Sequence, residues 1–135
     1  MVAVFVVWQG QVLLHLHPKL GLILPPGGHI ENHELPDDAA KRETLEETGI
    51  QIELIGELAP QSLELGAPRP LIRPRGVQLE SIGIGHEHID LIYFAKPLEP
   101  FAGTVLEPFF WLSDLAHPAL NQEIRQWCKL ALSEL

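Results

Sequence analysis

The sequence predicts one α+β domain with a mixed β-sheet and two helices. Three observations support this fold class. The chain has 135 residues, which is enough for one domain with a hydrophobic core of its own. Short runs of β-branched and aromatic residues, typical of strands, alternate with turns that contain glycine or proline. Two longer segments instead carry the signals of helices. Because no internal repeat or linker divides the chain, residues 1–135 are assigned to a single domain.

The N-terminal elements are predicted to form a hairpin. Ala3–Trp8 is a β-branched and aromatic run, Gln9-Gly10 is a turn signal, and Gln11–His15 is a second strand. The short apolar segment Leu22–Leu24 follows. Pro25-Pro26-Gly27-Gly28 then combines two stiff residues with two permissive ones, which predicts a rigid bend.

The first helix is predicted from Leu35 to Thr48. Pro36 stands near its first position, where a missing N–H costs nothing. Asp37 and Asp38 place negative charge in the first turn, which the helix dipole favours. Gly49 supplies the C-terminal stop signal.

The second half of the chain is predicted to hold four further strands and the second helix. In chain order the assignments are a strand at Ile50–Leu58, a proline-rich loop at Ala59–Arg75, strands at Gly76–Ile84 and His88–Ala95 around a Gly85-His86-Glu87 turn, a loop at Pro97–Val105, a strand at Pro108–Leu112 and a helix at Pro118–Leu135. The residues of His88–Ala95 predict a strand that is largely covered on both faces. The second helix is amphipathic, and its apolar stripe comprises Leu120, Ile124, Trp127, Cys128, Ala131 and Leu135.

Composition narrows the classes of function. The net charge of −9 disfavours unaided binding to a nucleic-acid backbone, which requires basic patches. No apolar run reaches membrane-spanning length and the N-terminus lacks a basic n-region, so we expect a soluble, cytoplasmic protein with no membrane partner. The single cysteine, Cys128, rules out an internal disulfide and is expected to be a buried thiol.

Acidic residues are concentrated between His29 and Glu47, where seven acids stand against two basic residues. Within this segment Glu43, Glu46 and Glu47 fall on one arc of the predicted helix, about 100° wide. Glu43 and Glu47 form a like-charge pair one turn apart, which costs roughly 0.2–0.5 kcal/mol. Two of the three acids also lie at the helix end where the dipole disfavours negative charge. A bound hard divalent cation would explain this arrangement.

These acids belong to a longer pattern of fixed spacing. In chain order its positions are Gly28, then after five residues Glu34, then after seven residues Arg42-Glu43, and then Glu46-Glu47, Gly49 and Ile50. The segment resembles the Nudix box, G-x5-E-x7-R-E-U-x-E-E-x-G-U with U a bulky apolar residue, and meets it at every polar and glycine position. Thr44 is the one departure, at a position where an aliphatic residue is expected. The resemblance implies the Nudix fold, in which a mixed β-sheet is sandwiched between α-helices (α/β/α).

The resemblance also implies a reaction. Nudix hydrolases cleave nucleoside diphosphates linked to another group, so we expect a pyrophosphohydrolase that uses Mg²⁺, with Mn²⁺ as a substitute. Such ions neutralise phosphate charge and lower the pKa of a bound water. By the family's pattern Glu46 and Glu47 are metal ligands, joined by the carbonyl of Gly27. Glu43 is either a ligand or the general base, and it acts in catalysis together with Glu46.

The remaining positions of the box have alternative interpretations. The resemblance makes Arg42 the group that orients the catalytic carboxylates, whereas spacing alone is also compatible with an exposed arginine paired with an acid one turn away. Glu34 could be a solvated loop acid or a helix cap, whereas the resemblance makes it a structural residue that ties the loop to the helix. Glu31 is expected to be solvated, with an outer-sphere metal role as the alternative. Gly28 and Gly49 are expected to supply turn and helix-end geometry.

Outside the box the candidates are less well defined. Four acids could assist the metal: Glu80, Glu87, Asp90 and Glu99. Three arginines of the proline-rich loop could clamp substrate phosphate, because guanidinium binds phosphate bidentately: Arg69, Arg73 and Arg75. His86 and Glu87 are further candidates for substrate binding. The histidine pairs His15/His17 and His86/His88 do not by themselves predict zinc, since no further ligand spacing supports a closed site.

The group attached to the diphosphate stays open at this stage. Nucleoside triphosphates, dinucleoside polyphosphates, ADP-ribose, nucleotide sugars and capped RNA ends all fit. The acidic charge disfavours a long RNA but not a short RNA end, so the expected partner is a small nucleotide derivative and not a long nucleic acid. One alternative is a Nudix-fold sensor that binds a nucleotide or ADP-ribose without cleaving it, against which the intact glutamates argue. A second alternative is a Nudix-fold isomerase of isoprenoid diphosphates. Such an enzyme would use a catalytic cysteine, whereas Cys128 lies in the apolar pattern of the predicted C-terminal helix. A homodimer is compatible with the family, but no feature of the sequence establishes it.

Overall fold

The computed structural model describes residues 1–135 and contains eight strands and two helices. In chain order they are β1 Val2–Trp8, β2 Gln11–Leu16, β3 Ile23–Leu24, β4 Gly27–Gly28, α1 Pro36–Thr48, β5 Ile52–Ile55, β6 Gly76–Gly83, β7 His86–Pro97, β8 Phe109–Leu112 and α2 Gln122–Glu134. The prediction of an α+β domain with a mixed sheet between helices is confirmed. Neither helix has the length and apolar character needed to cross a membrane.

Two parallel strands, β1 and β7, form the centre of the sheet and pair from Val2–Leu91 to Val6–Ala95. β2 and β4 are antiparallel to β1, β5 and β6 are antiparallel to β7, and β3 and β8 are antiparallel to β2. The two residues of β4 pair with Val2 and Ala3. The predicted bend at Pro25–Gly28 therefore ends in a short strand, which fixes the start of the box against the centre of the sheet.

Each face of the sheet is covered by one helix. On one face Ala39 and Ala40 of α1 pack in a core that includes Val4, Val6 and Tyr93. On the other face α2 packs in a core that holds Phe5 and Phe94. Burial of apolar surface on both faces therefore fixes α1, and the glutamates that it carries, against the edge formed by β4.

The predicted apolar stripe of α2 is confirmed. Leu120, Ile124, Cys128 and Ala131 are all buried in the core on this face of the sheet. Cys128 is fully buried, as expected, and burial raises the pKa of its thiol to about 12. This thiol is therefore protonated and packs as a small apolar side chain.

The N-terminal hairpin is confirmed. Gln9 and Gly10 both have positive φ, 50° and 71°, as a two-residue turn with the twist of a hairpin requires. The second strand runs one residue beyond the prediction, to Leu16. Gly49 also has positive φ, 77°, and its N–H donates to the carbonyl of Leu45 at 2.9 Å, which confirms it as the end of α1.

Two predicted strand boundaries are wrong. The strand predicted at Ile50–Leu58 is only Ile52–Ile55, because the chain then leaves β7 and Leu58 forms a bridge with Ile72 instead. The turn predicted at Gly85-His86-Glu87 lies earlier, since Gly85 takes the positive φ of 70° and His86 already pairs with Gly83. Coverage of β7 on both faces holds for Ile92–Ala95 but not at its start, where Ile89 is 60% exposed and belongs to neither core.

The second helix begins later than predicted, at Gln122 instead of Pro118. Its N-cap is Asn121, whose side-chain oxygen accepts a hydrogen bond from the N–H of Ile124 at 2.8 Å. The preceding turn is held by Arg125, which donates to the carbonyls of Leu115 and Leu120 at 2.7 and 2.9 Å. The apolar pattern therefore extends one buried residue, Leu120, beyond the N-terminal end of the helix, which the polar cap sets at Asn121.

Candidate active site

The inner face of α1 explains why the box tolerates a threonine. Thr44 and Thr48 are fully buried, together with Ala39 and Ala40. The Thr44 hydroxyl donates to the carbonyl of Ala40 at 2.8 Å, and the Thr48 hydroxyl donates to the carbonyl of Thr44 at 2.6 Å. Because these hydroxyls are satisfied within the helix, Thr44 can take a position where an aliphatic residue is expected.

Arg42 connects the helix to the loop that precedes it. Its guanidinium donates two hydrogen bonds to the carboxylate of Glu34, at 2.7 and 3.0 Å, and one to the carbonyl of His29 at 3.0 Å. The remaining nitrogen donates to Glu43 at 3.0 Å and to Glu46 at 3.3 Å. Arg42 therefore contacts two of the three acids, Glu43 and Glu46.

Glu34 lies in the loop and accepts from the backbone N–H of Glu31 at 3.0 Å as well as from Arg42. These hydrogen bonds, above all that from Arg42, hold the pKa of the Glu34 carboxyl below its usual range. The N-cap of α1 is Leu35, so the alternative of a helix-capping Glu34 is wrong. The Glu31 side chain is 68% exposed and 3.6 Å from Arg42, which agrees with a solvated acid.

Glu47 turns toward the start of the sheet. Its carboxylate accepts a hydrogen bond from the backbone N–H of Gly27 at 2.9 Å. Burial nevertheless raises the pKa of Glu47 to about 7, and the charges of Glu43 and Glu46 act in the same direction. A partly buried carboxylate beside two others is the environment that a bound cation would stabilise.

Gly28 is required for space, not for a turn. It lies in β4, and its φ is outside the left-handed region. A Cβ atom at this position would lie 2.5 Å from the carboxyl carbon of Glu43. The prediction that Gly28 supplies turn geometry is therefore wrong, because its role is to let the Glu43 carboxylate approach the backbone.

The donor atoms around β4 have the chemistry that Mg²⁺ requires, because they are carboxylate and carbonyl oxygens. One oxygen each of Glu43 and Glu47 receives no hydrogen bond from the protein. No group of three or more His, Cys, Asp or Glu side chains is arranged to hold a metal ion, and the Glu46 side chain is 61% exposed and contacts Arg42. The chemistry of these donors suits a hard cation, but their arrangement does not gather three acidic side chains around one point, and Glu46 would have to leave Arg42 to join the others.

A cleft of about 440 Å³ lies beside these residues, and Gly27, Gly28 and Glu47 form part of its wall. It lies on the face of the sheet that α2 covers, with Phe5 and Ile92 on its apolar side. Its polar lining comes from distant segments of the chain, and includes His15, His17, Gln78, Glu80, Asp90, Asn121 and Glu123.

The arginines of the proline-rich loop do not join this cleft. Arg73 and Arg75 line a separate cavity of about 580 Å³ near the C-terminal end of α2. Arg75 is paired with Glu134 at 2.8 Å, and Arg73 lies 3.4 Å from an exposed Glu57. Arg69 is exposed in the loop. The structure therefore does not bring the predicted phosphate clamp to the box.

The acids outside the box divide into two groups. Glu80 and Asp90 line the cleft, Glu87 is exposed near the tip of the β6–β7 hairpin, and Glu99 accepts a hydrogen bond from the N–H of Phe101 in a separate turn. Asp90 is only 7% exposed. A hydrogen bond with Asp90, together with burial and nearby negative charge, raises the pKa of Glu80 to about 7.

One contact near the box escaped the sequence analysis. The ring of His29 lies 5.3 Å from that of His88, and His86 lies 4.9 Å from His88. The Nδ1 atom of His88 is buried and has no hydrogen-bond partner. His29 directly follows Gly28, but the spacing of the box contains no signal for β7, which brings His88 to it.

Comparisons with known proteins agree with this geometry. The NUDIX domain family matches residues 1–134. The chain is similar to the solved structure of a NUDIX-family hydrolase from Clostridium perfringens, with 32% identity, a TM-score of 0.85, and coverage of 98% of this chain and 95% of that one. No curated protein matches the chain.

More distant structures share the fold. A dihydroneopterin triphosphate pyrophosphohydrolase from E. coli has a TM-score of 0.70 at 16% identity, over 99% of this chain and 94% of that one. A MutT NUDIX hydrolase from Burkholderia pseudomallei has a TM-score of 0.62 at 22% identity, over 99% and 95%. The chain belongs to the Nudix hydrolase family.

Proposed function

We propose that this Nudix hydrolase is a Mg²⁺-dependent pyrophosphohydrolase that cleaves a phosphoanhydride bond of a nucleoside diphosphate linked to another group. The observation that supports it most directly is the convergence of Glu43 and Glu47 on the backbone of Gly27 and Gly28. This arrangement places two carboxylates, each with a free oxygen, beside a cleft large enough for a nucleoside.

Glu47, Glu46 and the carbonyl of Gly27 would hold the cation. When bound, Mg²⁺ would neutralise phosphate charge and lower the pKa of a coordinated water. One carboxylate oxygen of Glu43 accepts a hydrogen bond from Arg42 at 3.0 Å. This hydrogen bond fixes the orientation of the Glu43 side chain and leaves its other oxygen free. We assign to that free oxygen of Glu43 the role of general base. It accepts the proton of the attacking water as the water oxygen bonds to phosphorus and the P–O bond to the leaving group breaks.

The test is a panel of nucleoside triphosphates, dinucleoside polyphosphates, ADP-ribose and nucleotide sugars, assayed with Mg²⁺ and Mn²⁺ for release of phosphate or mononucleotide. We expect Glu47→Gln to lower kcat by at least about 100-fold, because it removes a charged metal ligand. Glu64→Gln, an exposed loop acid, is the matched control and should keep wild-type activity.

Two outcomes contradict the proposal. A wild-type protein that binds members of the panel but cleaves none would be a nucleotide sensor. A Glu47→Gln variant with full activity would remove the role given to the glutamates of α1.

A further inference from the structure

Three histidine rings lie together beside the start of the box. His86 and His88 are two residues apart in β7, so their side chains lie on the same face of that strand. The centroids of these two rings are 4.9 Å apart. His29, in the loop after β4, places its ring centroid 5.3 Å from that of His88. The hydrolysis proposed for the glutamates of α1 gives these three rings no role.

No hydrogen bond with the protein holds any of the three rings. Nδ1 of His88 is buried and has no partner, and the hydrogen bond between His29 and Arg42 uses the backbone carbonyl of His29. Two other histidines of the chain are engaged, since Nδ1 of His17 and Nδ1 of His117 accept from backbone N–H groups. Buried polar atoms normally have a partner in the protein, in water or in a ligand. The nitrogens of the cluster are therefore available to a ligand.

The spacing of the rings suits a shared metal ion. Zinc binds an imidazole nitrogen at roughly 2.0–2.1 Å, which puts the centre of the ring about 3.2 Å from the metal. Two imidazoles at a tetrahedral angle then have their centres roughly 5.2 Å apart. The two measured spacings, 4.9 and 5.3 Å, lie on either side of this value. Binding would therefore require the rings to turn but not the backbone to move.

The two histidines of β7 form the fixed part of this cluster. The three side chains do not share one metal position as they stand. His88 is half-buried, whereas His29 and His86 are exposed and can turn about their side-chain bonds. Glu80 is directly opposite His88 in the β6–β7 ladder, so a carboxyl group also faces this position. His29 is therefore the residue that would move to complete a site built on β7.

We propose that His86 and His88 bind Zn²⁺ or a similar first-row transition-metal ion, with His29 as the third ligand. Imidazole nitrogen suits such ions, whereas Mg²⁺ prefers the carboxylate and carbonyl oxygens around β4. The two sites therefore select different ions, and this inference does not depend on the proposed function. The bound ion ties the loop that precedes α1 to β7, because His29 belongs to the loop and His88 to the strand.

The experiment measures the binding of Zn²⁺ alone by calorimetry, with Mg²⁺ in large excess to occupy the carboxylates of the box. We expect one Zn²⁺ per chain. His86→Asn should weaken this binding by at least about 10-fold, because loss of even an indirect partner of a metal site costs that much. His86 is exposed, so this variant tests the inference even if the half-buried His88→Asn fails to fold.

The matched control is His33→Asn, which should bind Zn²⁺ as the wild type does. His33 is an exposed histidine of the loop before α1 and lies outside the cluster. Its φ is 65°, a left-handed conformation that asparagine tolerates. NMR then identifies the ligands: the imidazole ¹⁵N shifts of His29, His86 and His88 should change when Zn²⁺ is added, while those of His33 stay constant.

The outcomes separate this inference from the proposed function. A wild-type protein that binds no Zn²⁺, or a His86→Asn variant that binds it equally well, would overturn the inference. Binding that disappears in Glu47→Gln but persists in His86→Asn would place the ion in the box, which also overturns it. If the protein cleaves nothing but binds Zn²⁺ through the three rings, the inference holds and the pyrophosphohydrolase proposal is wrong.

Discussion

Among single residues, Gly28 shows most clearly how the backbone of β4 and the carboxylates of α1 depend on one another. The added methyl group of an alanine would lie 2.5 Å from the carboxyl carbon and one carboxyl oxygen of Glu43. Because the obstructed atoms are the end of a flexible side chain, the fold can yield by moving Glu43. The substitution would then displace the Glu43 carboxylate from the position in which Arg42 holds it.

We therefore expect Gly28→Ala to lower kcat by about 10- to 100-fold, as a displacement near 1 Å of a reacting group does. The melting temperature should change by no more than a few degrees. The matched control is Gly83→Ala, since a Cβ at Gly83 meets no atom within 4 Å and its φ is not positive. Steady-state kinetics and thermal melts measure both effects, and equal activity of the two variants would mean that Glu43 does not act from its place beside Gly28.

Among the elements, α2 begins at an N-cap residue that also lines the cleft. Asn121 caps the N-terminal end of the helix and lines the cleft together with Glu123. Replacing an N-cap asparagine with alanine typically costs about 1 kcal/mol. The cap also sets where the polypeptide turns from the segment Pro118–Leu120 into the helix.

We expect Asn121→Ala to lower the free energy of unfolding by about 1 kcal/mol, which corresponds to a few degrees in melting temperature. Asn32→Ala is the control, because Asn32 lies exposed in the loop before α1 and makes no side-chain hydrogen bond. Chemical denaturation of the two variants separates the cap from a general effect of losing an asparagine. A destabilisation no larger than that of Asn32→Ala would show that the cap contributes nothing.

The same helix shows the limit of prediction from sequence. Its apolar stripe is a local property, so spacing predicted the buried face correctly. Its start depends on whether Asn121 or Pro118 begins the helix, and both residues are compatible with an N-terminus. The hydrogen bond to Ile124 decides between them, and only the folded backbone shows that bond.

For the whole molecule, the box and the cleft differ in how far the sequence can predict them. Glu34, Arg42 and Glu43 meet because they lie within one loop and the helix that follows it, so spacing was sufficient to place them together. The Glu80–Asp90 pair depends on the register of β6 with β7, and the cleft also needs β2 and the start of α2. Such non-local pairing follows from packing of the complete chain. The sequence alone therefore could not choose among the four candidate acids outside the box.

The pairing also predicts how the stability of the molecule depends on pH. The pKa of Glu80 is about 7 in the folded state, above the 4.5 usual for a glutamate carboxyl, so the folded state favours its protonated form. As pH rises from about 4.5 through 7, the unfolded chain loses this proton before the folded protein does. The wild type therefore loses stability over that window, and above about pH 8 the penalty is complete.

Glu80→Gln removes the titration while keeping the size of the side chain. We expect the difference in melting temperature, Glu80→Gln minus wild type, to grow in favour of the variant between pH 5 and 7.5 and to level off above pH 8. Glu64→Gln should show no such trend, and it controls for the loss of one unit of charge from a protein with net charge −9. Melting curves of the three proteins at several pH values measure this. A constant difference across the window would mean that Glu80 and Asp90 do not share a proton in the folded protein.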